Sequence, residues 1–276
     1  MKSEMKTAKI SVLLNVHNAE KYIAESIESI LKQTYKNFEF LILDDASTDN
    51  TWKIIQKYKK EDRRIRTFRV KKNLYIASAR NKLLKLAKGK YIAWQDADDI
   101  SLPTRLDKQA KFLDTHSKVG IIGGHLKFFN YNGSHGIRKY AKDDKTLRKY
   151  IFRMSPVAEP VAMIRKECFD VVGYYNPVYP PAHDIDMSFR IGTRYKFANI
   201  PEILLHYREH PSSATFSKLR KMELDTLEIR RIFANNKKYK MSFFDKAYNL
   251  TQGLSLYFMP PRLRIWLFNK IRNSQT

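Results

Sequence analysis

Three acidic side chains, Asp96, Asp98 and Asp99, lie within four residues of one another, shortly after the apolar run Tyr91–Trp94. A short apolar run rich in β-forming residues predicts a buried strand, and α/β proteins bind ligands beyond the carboxyl ends of such strands. Hard divalent cations prefer oxygen ligands, and Mg²⁺ is usually held by one or two carboxylates together with substrate phosphates. The cluster therefore predicts a metal-assisted phosphate site, whereas an isolated Asp-x-Asp is more simply interpreted as a solvated acidic turn.

Two further polar clusters follow apolar runs in the same way. Asn15 to Asn18 follows the run that begins at Ile10, and Asp44 with Asp45 follows Phe38–Leu43. Strands alternate with helical patterns over this half of the chain, which predicts an α/β fold with a mostly parallel sheet and flanking helices. Because crossover connections are right-handed, the carboxyl ends of the strands meet at one edge. All three clusters are expected to converge there.

The elements that must position these clusters can be listed from periodicity and capping signals. In the first half we predict strands at residues 9–15, 38–43 and 64–70, and helices at 19–34 (capped by Asn18), after Ser47 or Asp49, and at 76–88 (ended by Gly89). In the second half we predict a helix to Thr115, strands at 119–129, 161–165, 195–200 and 203–207, a hairpin or loop at 130–144, and a helix at 183–191.

Composition predicts a folded protein with an acidic partner. The chain has 276 residues, 43% of them hydrophobic, and a formal net charge of +24. Such a charge favours nucleic acid, an anionic membrane or a phosphorylated substrate without choosing among them. The single cysteine fits a reducing compartment. The chain shows neither a secretory pattern nor an apolar stretch long enough to span a bilayer, so we expect a cytoplasmic protein.

The composition changes near Phe216, which suggests a domain at 1–215 and an extension at 216–276. The extension contains thirteen Lys or Arg against four Asp or Glu, with aromatic and leucine residues interleaved among arginines from Leu254 to Phe268. This pattern is typical of a helical segment that lies at the inner face of a membrane and binds anionic lipids. Packing of a C-terminal helix on the domain is the equally weighted alternative.

The motifs together resemble the family 2 glycosyltransferases, which have the GT-A fold. The resemblance is carried by Ile10 to Asn18, by Gln33-Thr34-Tyr35 with residues 38–51, by Ala79-Arg80-Asn81, and by Gly89 to Asp99 with Pro103-x-Arg105-Leu106. It is dense over about the first 130 residues and thin over the next 80. It implies a Rossmann-like sheet whose first hundred residues bind the nucleotide sugar and whose residues 101–215 bind the acceptor.

The resemblance also implies a chemistry and a set of residues. The donor is expected to be a nucleotide sugar, most often UDP-linked, with Mn²⁺ or Mg²⁺ as cofactor and inversion at the anomeric carbon. The implied donor-binding residues are Asn15, His17, Asn18, Asp44, Asp45, Arg80, Asp96 and Asp98, and the implied metal ligands are Asp98, Asp96 and His210. For His210, a contact with the diphosphate and a structural role are the alternatives. The sequence departs from the family at Val16-His17, where the family usually has Thr-Tyr or Ser-Tyr.

Asp184 is the predicted general base. A sugar hydroxyl is too weakly acidic to attack unaided, and an inverting displacement needs one carboxylate opposite the departing nucleotide. The family typically has Glu-Asp at the start of a helix, where this chain has His183-Asp184. Asp186 is the competing base, and a helix cap is the structural alternative for Asp184. Glu159-Pro160 and Tyr174-Tyr175 are expected either to shape the acceptor pocket or to pack in the core.

Two other functions fit parts of the sequence. A sugar nucleotidyltransferase would keep the nucleotide and metal, but such enzymes usually open with a glycine-rich phosphate loop, and residues 15–19 contain no glycine. A non-catalytic binder of membrane or nucleic acid would explain the positive charge and leave the carboxylate clusters unexplained. We therefore expect an enzyme that acts on a glycan or lipid-linked acceptor of the cell envelope, and nucleic acid is a disfavoured partner.

Overall fold

The computed structural model describes residues 8–210, 219–260, 263–264 and 267. The first half folds as strands and helices in strict alternation: β1 (Ile10–Val16), α1 (Ile23–Leu31), β2 (Phe38–Asp45), α2 (Thr51–Glu61), β3 (Ile65–Val70), α3 (Tyr75–Leu86) and β4 (Tyr91–Trp94). β2 and β4 are buried along their whole length, and β1 is buried at all but one residue. Continuous burial is the pattern of strands covered on both faces, and it explains their apolar sequences.

These four strands pair in the order β3-β2-β1-β4, and every pair is parallel. The registers align the beginnings of the strands, since Ile10 lies opposite both Phe38 and Tyr91. The carboxyl ends therefore reach the same edge of the sheet, and the residues after β1, β2 and β4 lie there. The predicted α/β architecture is confirmed for this half.

The second half extends the same sheet with mixed pairing. Its elements are β5 (Ile100–Ser101), α4 (Arg105–Thr115), β6 (Val119–Asn130), β7 (Gly133–Arg138), α5 (Asp144–Tyr150), β8 (Met163–Arg165), α6 (Lys166–Val172), α7 (His183–Gly192) and β9 (Lys196–Arg208), with short 3₁₀ turns at Glu159–Val161 and Pro180–Ala182. β8 joins β4 and β6 antiparallel, and β5 joins β9 antiparallel, whereas β6 and β9 are parallel. Here the pairing departs from the mostly parallel sheet that was predicted.

Three local predictions differ from the structure for identifiable reasons. Asn18 does not cap α1, because its φ of 52° is left-handed and its side chain holds the next loop instead. Gly89 does not end α3, which stops at Leu86; an added Cβ at Gly89 would lie 2.4 Å from the backbone nitrogen of Ser11. The two predicted strands around Pro201 are one strand, β9, whose register against β6 shifts at that point.

Two helices follow the sheet domain, α8 (Leu219–Ala234) and α9 (Phe243–Phe258). The predicted boundary near Phe216 lies outside the described residues, as does part of the predicted interfacial segment after Pro260. Across the part of the chain that the structure describes, every helix is too short or too polar to cross a membrane.

Helix α9 buries two polar side chains, Asp245 and Gln252, together with Leu256, and exposes most of its large apolar side chains to solvent. Asp245 is buried and forms an ion pair with Arg153, and buried Gln252 accepts a hydrogen bond from Arg230. The opposite side of the helix carries six exposed residues, which we call the α9 apolar face: Phe243, Phe244, Leu250, Leu254, Tyr257 and Phe258. Phe243 and Phe258 are 80% and 82% exposed. This polarity is the reverse of an ordinary surface helix.

Candidate active site

The acidic loop after β4 is attached to the end of β9. The carboxylate of Asp99 is buried and accepts a hydrogen bond of 2.9 Å from the backbone nitrogen of Arg208. The Arg208 side chain returns a bond of 2.9 Å to the backbone oxygen of Asp98. Two residues further on, Nε2 of His210 lies 2.9 Å from Oδ2 of Asp98. The structure therefore brings together two predicted metal ligands that are 112 residues apart in the chain.

A buried arginine supports this loop from beneath. Arg105, at the start of α4, donates hydrogen bonds to the backbone oxygen of Trp94, to Gln95 and to Ser101. Burial lowers the pKa of its guanidinium to about 9. Removing a buried group of this kind would leave several acceptors unsatisfied, each at a cost of about 1–3 kcal/mol. Arg105 thus holds the loop in place, while Asp96 and Asp98 of that loop remain partly exposed.

The loops after β1 and β2 are tied to each other beside this edge. Nδ1 of His17 lies 2.8 Å from the backbone oxygen of Asp45, and Oδ1 of Asn18 accepts a bond of 2.8 Å from the nitrogen of Thr48. His17 and Asn18 are exposed, and Asn15 is partly buried on β1. The predicted nucleotide-binding residues of β1 therefore stand next to those of β2.

The paired acids at the end of β2 point in different directions, as successive residues of a strand do. Asp45 accepts a hydrogen bond of 2.7 Å from the backbone nitrogen of Leu74, at the start of α3. Burial is the main cause that raises the pKa of Asp45. Asp44 is fully buried and forms an ion pair of 2.8 Å with Nε of Arg69 on β3. Of the two, Asp44 is thus engaged inside the protein, away from the neighbours of Asp45.

Arg80 of α3 connects the acidic loop to the second half of the chain. Its guanidinium is almost fully buried and lies 4.4 Å from the ring of Trp94. One nitrogen, Nη2, is 3.2 Å from Oδ1 of Asp96, and Nη1 is 2.6 Å from Oε1 of Glu159. Glu159 is therefore part of the charged site itself, in addition to any part in shaping an acceptor pocket.

The two candidate bases on α7 have different surroundings. Asp184 is partly buried, and its carboxylate lies within 4.8 Å of the ligand atoms of Glu159 and His183. Asp186 is buried, and its Oδ2 accepts bonds of 3.0 and 2.6 Å from Nε and Nη2 of Arg190, one helical turn later. Asp186 is committed to a structural ion pair, and Asp184 faces the site.

The electrostatics of the site follow from crowding of like charges in a partly enclosed space. Burial, and then the charge of Glu159, raise the pKa of Asp184. Burial also raises the pKa of Asp96, to about 6, with Arg80 opposing it. Burial would raise the pKa of Glu159 too, but Arg80 and His183 lower it to about 2. The nearby guanidinium of Arg80 thus keeps Glu159 ionised, whereas burial makes Asp184 more basic.

The residues at the edge suit a divalent cation. Asp96 and Asp98 are partly exposed in the same short loop, and His210 adds a nitrogen donor beside Asp98. Carboxylate oxygens suit Mg²⁺ and Mn²⁺, and imidazole is a common ligand of divalent transition metals. Asp98 and His210 are therefore a chemically suitable donor pair. Asp96 is not gathered with them, because among the described residues only Glu159, His183 and Asp184 bring three such ligand atoms within 4.8 Å of one another.

Comparison with known proteins identifies the class. Residues 11–172 match the family model for glycosyl transferase family 2. An uncharacterized glycosyltransferase of Methanocaldococcus jannaschii is 34% identical over 87% of this chain and 84% of its own length. The Escherichia coli UDP-Glc:alpha-D-GlcNAc-diphosphoundecaprenol beta-1,3-glucosyltransferase WfaP is 32% identical over 77% of this chain and 82% of its own.

The fold has a counterpart among solved structures. The crystal structure of residues 1–349 of TarS from S. aureus, in complex with UDP-GlcNAc, superimposes with a TM-score of 0.67 at 22% identity. The match covers 91% of this chain and 72% of that one, and it confirms the predicted GT-A fold. The chain belongs to glycosyl transferase family 2 and is a glycosyltransferase.

Proposed function

We propose that the protein transfers a sugar from a UDP-sugar to a hydroxyl group of a glycan or lipid-linked acceptor, with metal assistance and inversion at the anomeric carbon. The observation that carries the proposal is twofold: the acidic loop and the β1 and β2 loops lie at one edge of the parallel strands, and contacts run from Asp96 through Arg80 to Glu159, beside Asp184. The UDP-GlcNAc bound to TarS and the UDP-glucose named for WfaP support UDP as the nucleotide. The diphosphoundecaprenol acceptor in the name of WfaP supports a lipid-linked acceptor.

Each half of the sheet domain has a role in this proposal. In residues 1–100, Asn15, His17 and Asn18 border the base and ribose, and Asp45 accepts a hydrogen bond from the base. Asp44 contributes only indirectly, through its ion pair with Arg69. Residues 101–215 supply the acceptor side and the base.

Arg80 and the acidic loop handle the diphosphate. Asp98, Asp96 and His210 would hold Mn²⁺ or Mg²⁺, which neutralises charge that develops on the departing nucleoside diphosphate. Arg80 supplies a fixed positive charge beside Asp96, on the side where the nucleotide or its phosphates would bind. Its guanidinium is almost fully buried, so little water screens its charge from phosphate oxygens.

Asp184 acts as the general base. It takes the proton from the acceptor hydroxyl while the oxygen attacks the anomeric carbon and the bond to the diphosphate breaks. Attack from the face opposite the departing group inverts the configuration and needs no covalent intermediate. The raised pKa of Asp184 brings its basicity closer to the operating pH, which favours proton transfer.

Release of UDP is the experiment that tests this function. UDP-, GDP- and dTDP-sugars are incubated with the protein and Mn²⁺, with a parallel series in EDTA, because many transferases slowly pass their sugar to water. Metal-dependent release from one UDP-sugar that is lost in Asp98→Ala is the expected result. If no sugar is consumed and calorimetry detects no binding of UDP with Mn²⁺, the proposed function is wrong.

We also propose that the C-terminal extension binds anionic lipids at the inner face of the cell membrane. The α9 apolar face supports this because it places six large apolar side chains on one exposed surface, beyond what scattered surface residues explain. Exposed lysines accompany it, at 237, 238 and 240 before the helix and at 246 within it. Apolar insertion combined with lysine attraction is the binding mode of interfacial helices.

Vesicle sedimentation tests the membrane proposal. Phosphatidylcholine vesicles with added phosphatidylglycerol should sediment the protein at low salt, and high salt or omission of phosphatidylglycerol should weaken this binding. The double variant Phe243→Ser/Phe258→Ser should remain in the supernatant, whereas Val171→Ser, an exposed apolar residue on α6, should sediment normally. Failure of the wild type to sediment would contradict the membrane proposal. A stable dimer that Phe243→Ser/Phe258→Ser dissociates would show that a second copy of the chain covers this face instead.

A further inference from the structure

Glu159 has an environment that the proposed mechanism does not use. Its carboxylate is buried, and three side chains surround it. Oε1 lies 2.6 Å from Nη1 of Arg80 and accepts a hydrogen bond from the hydroxyl of Tyr175. Oε2 lies 2.9 Å from Nε2 of His183. These partners come from α3, from the loop after α6 and from the first residue of α7, so one carboxylate joins three separate segments.

His183 is fixed from two sides. Its Nδ1 lies 2.7 Å from the backbone oxygen of Pro180, and a carbonyl oxygen can only accept, so Nδ1 is the donor of that bond. Its Nε2 lies 2.9 Å from Oε2 of Glu159. Glu159 therefore lies between the guanidinium of Arg80 and the ring of His183.

A metal site is the alternative interpretation of this cluster, because Glu159, His183 and Asp184 offer ligand atoms within 4.8 Å of one another. The surroundings disfavour it. One oxygen of Glu159 is already engaged by the guanidinium of Arg80 and by the hydroxyl of Tyr175. A divalent cation here would also meet the positive charge of Arg80. The cluster is better described as a polar network built around Glu159.

The network connects the two sides of the proposed reaction. Arg80, at one end, contacts Asp96 of the acidic loop. His183, at the other end, directly precedes Asp184 in the first turn of α7. A shift of Glu159 would therefore move the diphosphate-binding arginine and the base relative to each other. Displacement by about 1 Å can reduce a rate about 100-fold.

We infer that Glu159 is a positioning residue of this transferase, which fixes Arg80 and His183 so that the diphosphate site and Asp184 are held in line across the sugar. The inference rests on the proposed function. The charge of the carboxylate holds the guanidinium of Arg80, so an amide of the same shape is insufficient. Glu159 and His183 act as a unit, because Oε2 of Glu159 is in contact with Nε2 of His183.

Kinetics of Glu159→Gln test this role. The variant should lower kcat about 10- to 100-fold, while KM for the donor and the Kd for UDP with Mn²⁺ change less than threefold. The calorimetric binding stoichiometry for UDP should remain that of the wild type, which shows that the lost turnover does not come from unfolded protein. A purely structural role would lower the stoichiometry and the unfolding midpoint and leave kcat per bound site unchanged.

A matched control and a double variant complete the test. Glu39 has the same exposure of 8%, contacts Arg66 and the hydroxyl of Ser11, and lies at the opposite edge of the sheet. Glu39→Gln should keep kcat within twofold. The double variant Glu159→Gln/His183→Gln should lose no more activity than the worse single variant, because one pair cannot be broken twice.

The outcomes separate this inference from the proposed function. If the wild type releases UDP and Glu159→Gln retains kcat within threefold, the positioning role is wrong and the transferase proposal stands. If the losses of kcat in the two single variants multiply in the double variant, Glu159 and His183 act independently and the inference that they act as a pair is wrong. If the wild type itself neither turns over nor binds UDP, the proposed function fails first.

Discussion

Isosteric replacement of the two acids on α7 distinguishes the base from its competitor. Asp184 and Asp186 both lie in the first turn of the same helix, so Asn at either position loses a similar interaction with the helix dipole. The remaining difference comes from their contacts. Asp184 faces Glu159 and His183, and Asp186 is bonded twice to Arg190.

For Asp184→Asn we expect a large loss of rate without loss of stability. A general base contributes about 10²- to 10⁴-fold, which corresponds to about 3–5 kcal/mol in the activation barrier. The free energy of unfolding should stay constant or rise, because burial already disfavours the charge at Asp184 and raises its pKa. The affinity for UDP should change little, since the carboxylate acts on the acceptor.

For Asp186→Asn we expect the opposite. Its partner Arg190 also donates to the backbone oxygens of Val172 and Gly173, so the ion pair fixes the end of α6 against α7. Loss of a charged, buried hydrogen-bond partner costs about 1–3 kcal/mol, and each kcal/mol lowers the unfolding midpoint by about 2–4 °C in a protein of this size. The kcat at a temperature where the variant is folded should stay within threefold.

Thermal unfolding and UDP release, measured on both variants, give the result. The assignment of the base is refuted if Asp186→Asn, folded at the assay temperature, loses more kcat than Asp184→Asn. Retention of activity in both variants would remove α7 from the chemistry altogether.

Three further predictions follow from single features. The pKa of Asp184 is raised, and the base must be deprotonated to act. With saturating Mn²⁺, kcat/KM should therefore fall at low pH with an apparent pKa above the usual 3.8 of an aspartate. This fall should be absent from the residual activity of Asp184→Asn. Tyr75→Gly should raise the free energy of unfolding by up to about 1 kcal/mol in a thermal melt, because an exposed tyrosine there holds a left-handed φ of 60°; a lower midpoint would show that its ring packs. Gly89→Ala should lower the free energy of unfolding by about 1–3 kcal/mol, because its Cβ would meet the β1 backbone at 2.4 Å, whereas Gly136→Ala, with open space, should melt normally.

The first half of the fold could be predicted because its signals are local. Strands buried on both faces are continuously apolar over four or more residues, and the acids that follow them need only the rule that parallel strands share an edge. The antiparallel pairing of the second half carries no such signal. A strand was predicted at 161–165, where β8 lies, but its three residues do not indicate its partners, and β5, with two residues, is too short for any period to be recognised.

The candidate site could be predicted as a set of residues but not as a set of contacts. The sequence places Asp44 and Asp45 side by side as candidate nucleotide-binding residues. In the structure, the carboxylate of Asp44 is fully buried and forms an ion pair with Arg69, which lies on a different strand. Glu159 could be proposed as a pocket residue, but its partner Arg80 is 79 positions away. This ion pair forms because the first and second halves of the sheet domain pack together. Contacts between distant segments have no fixed spacing in the sequence, so no sequence pattern reveals them.

The proposed donor and acceptor halves are consequently functional divisions of one folding unit. β4 of the first half pairs with β8 of the second, and β5 pairs with the end of β9. Asp98 meets His210 only because β9 returns to the acidic loop. A chain that ended near residue 100 would expose the edge of β4 and lack Glu159, one of the two counter-ions of Arg80. The nucleotide half should therefore bind UDP only within the whole domain, because Asp98 and Arg80 have partners, His210 and Glu159, that come later in the chain.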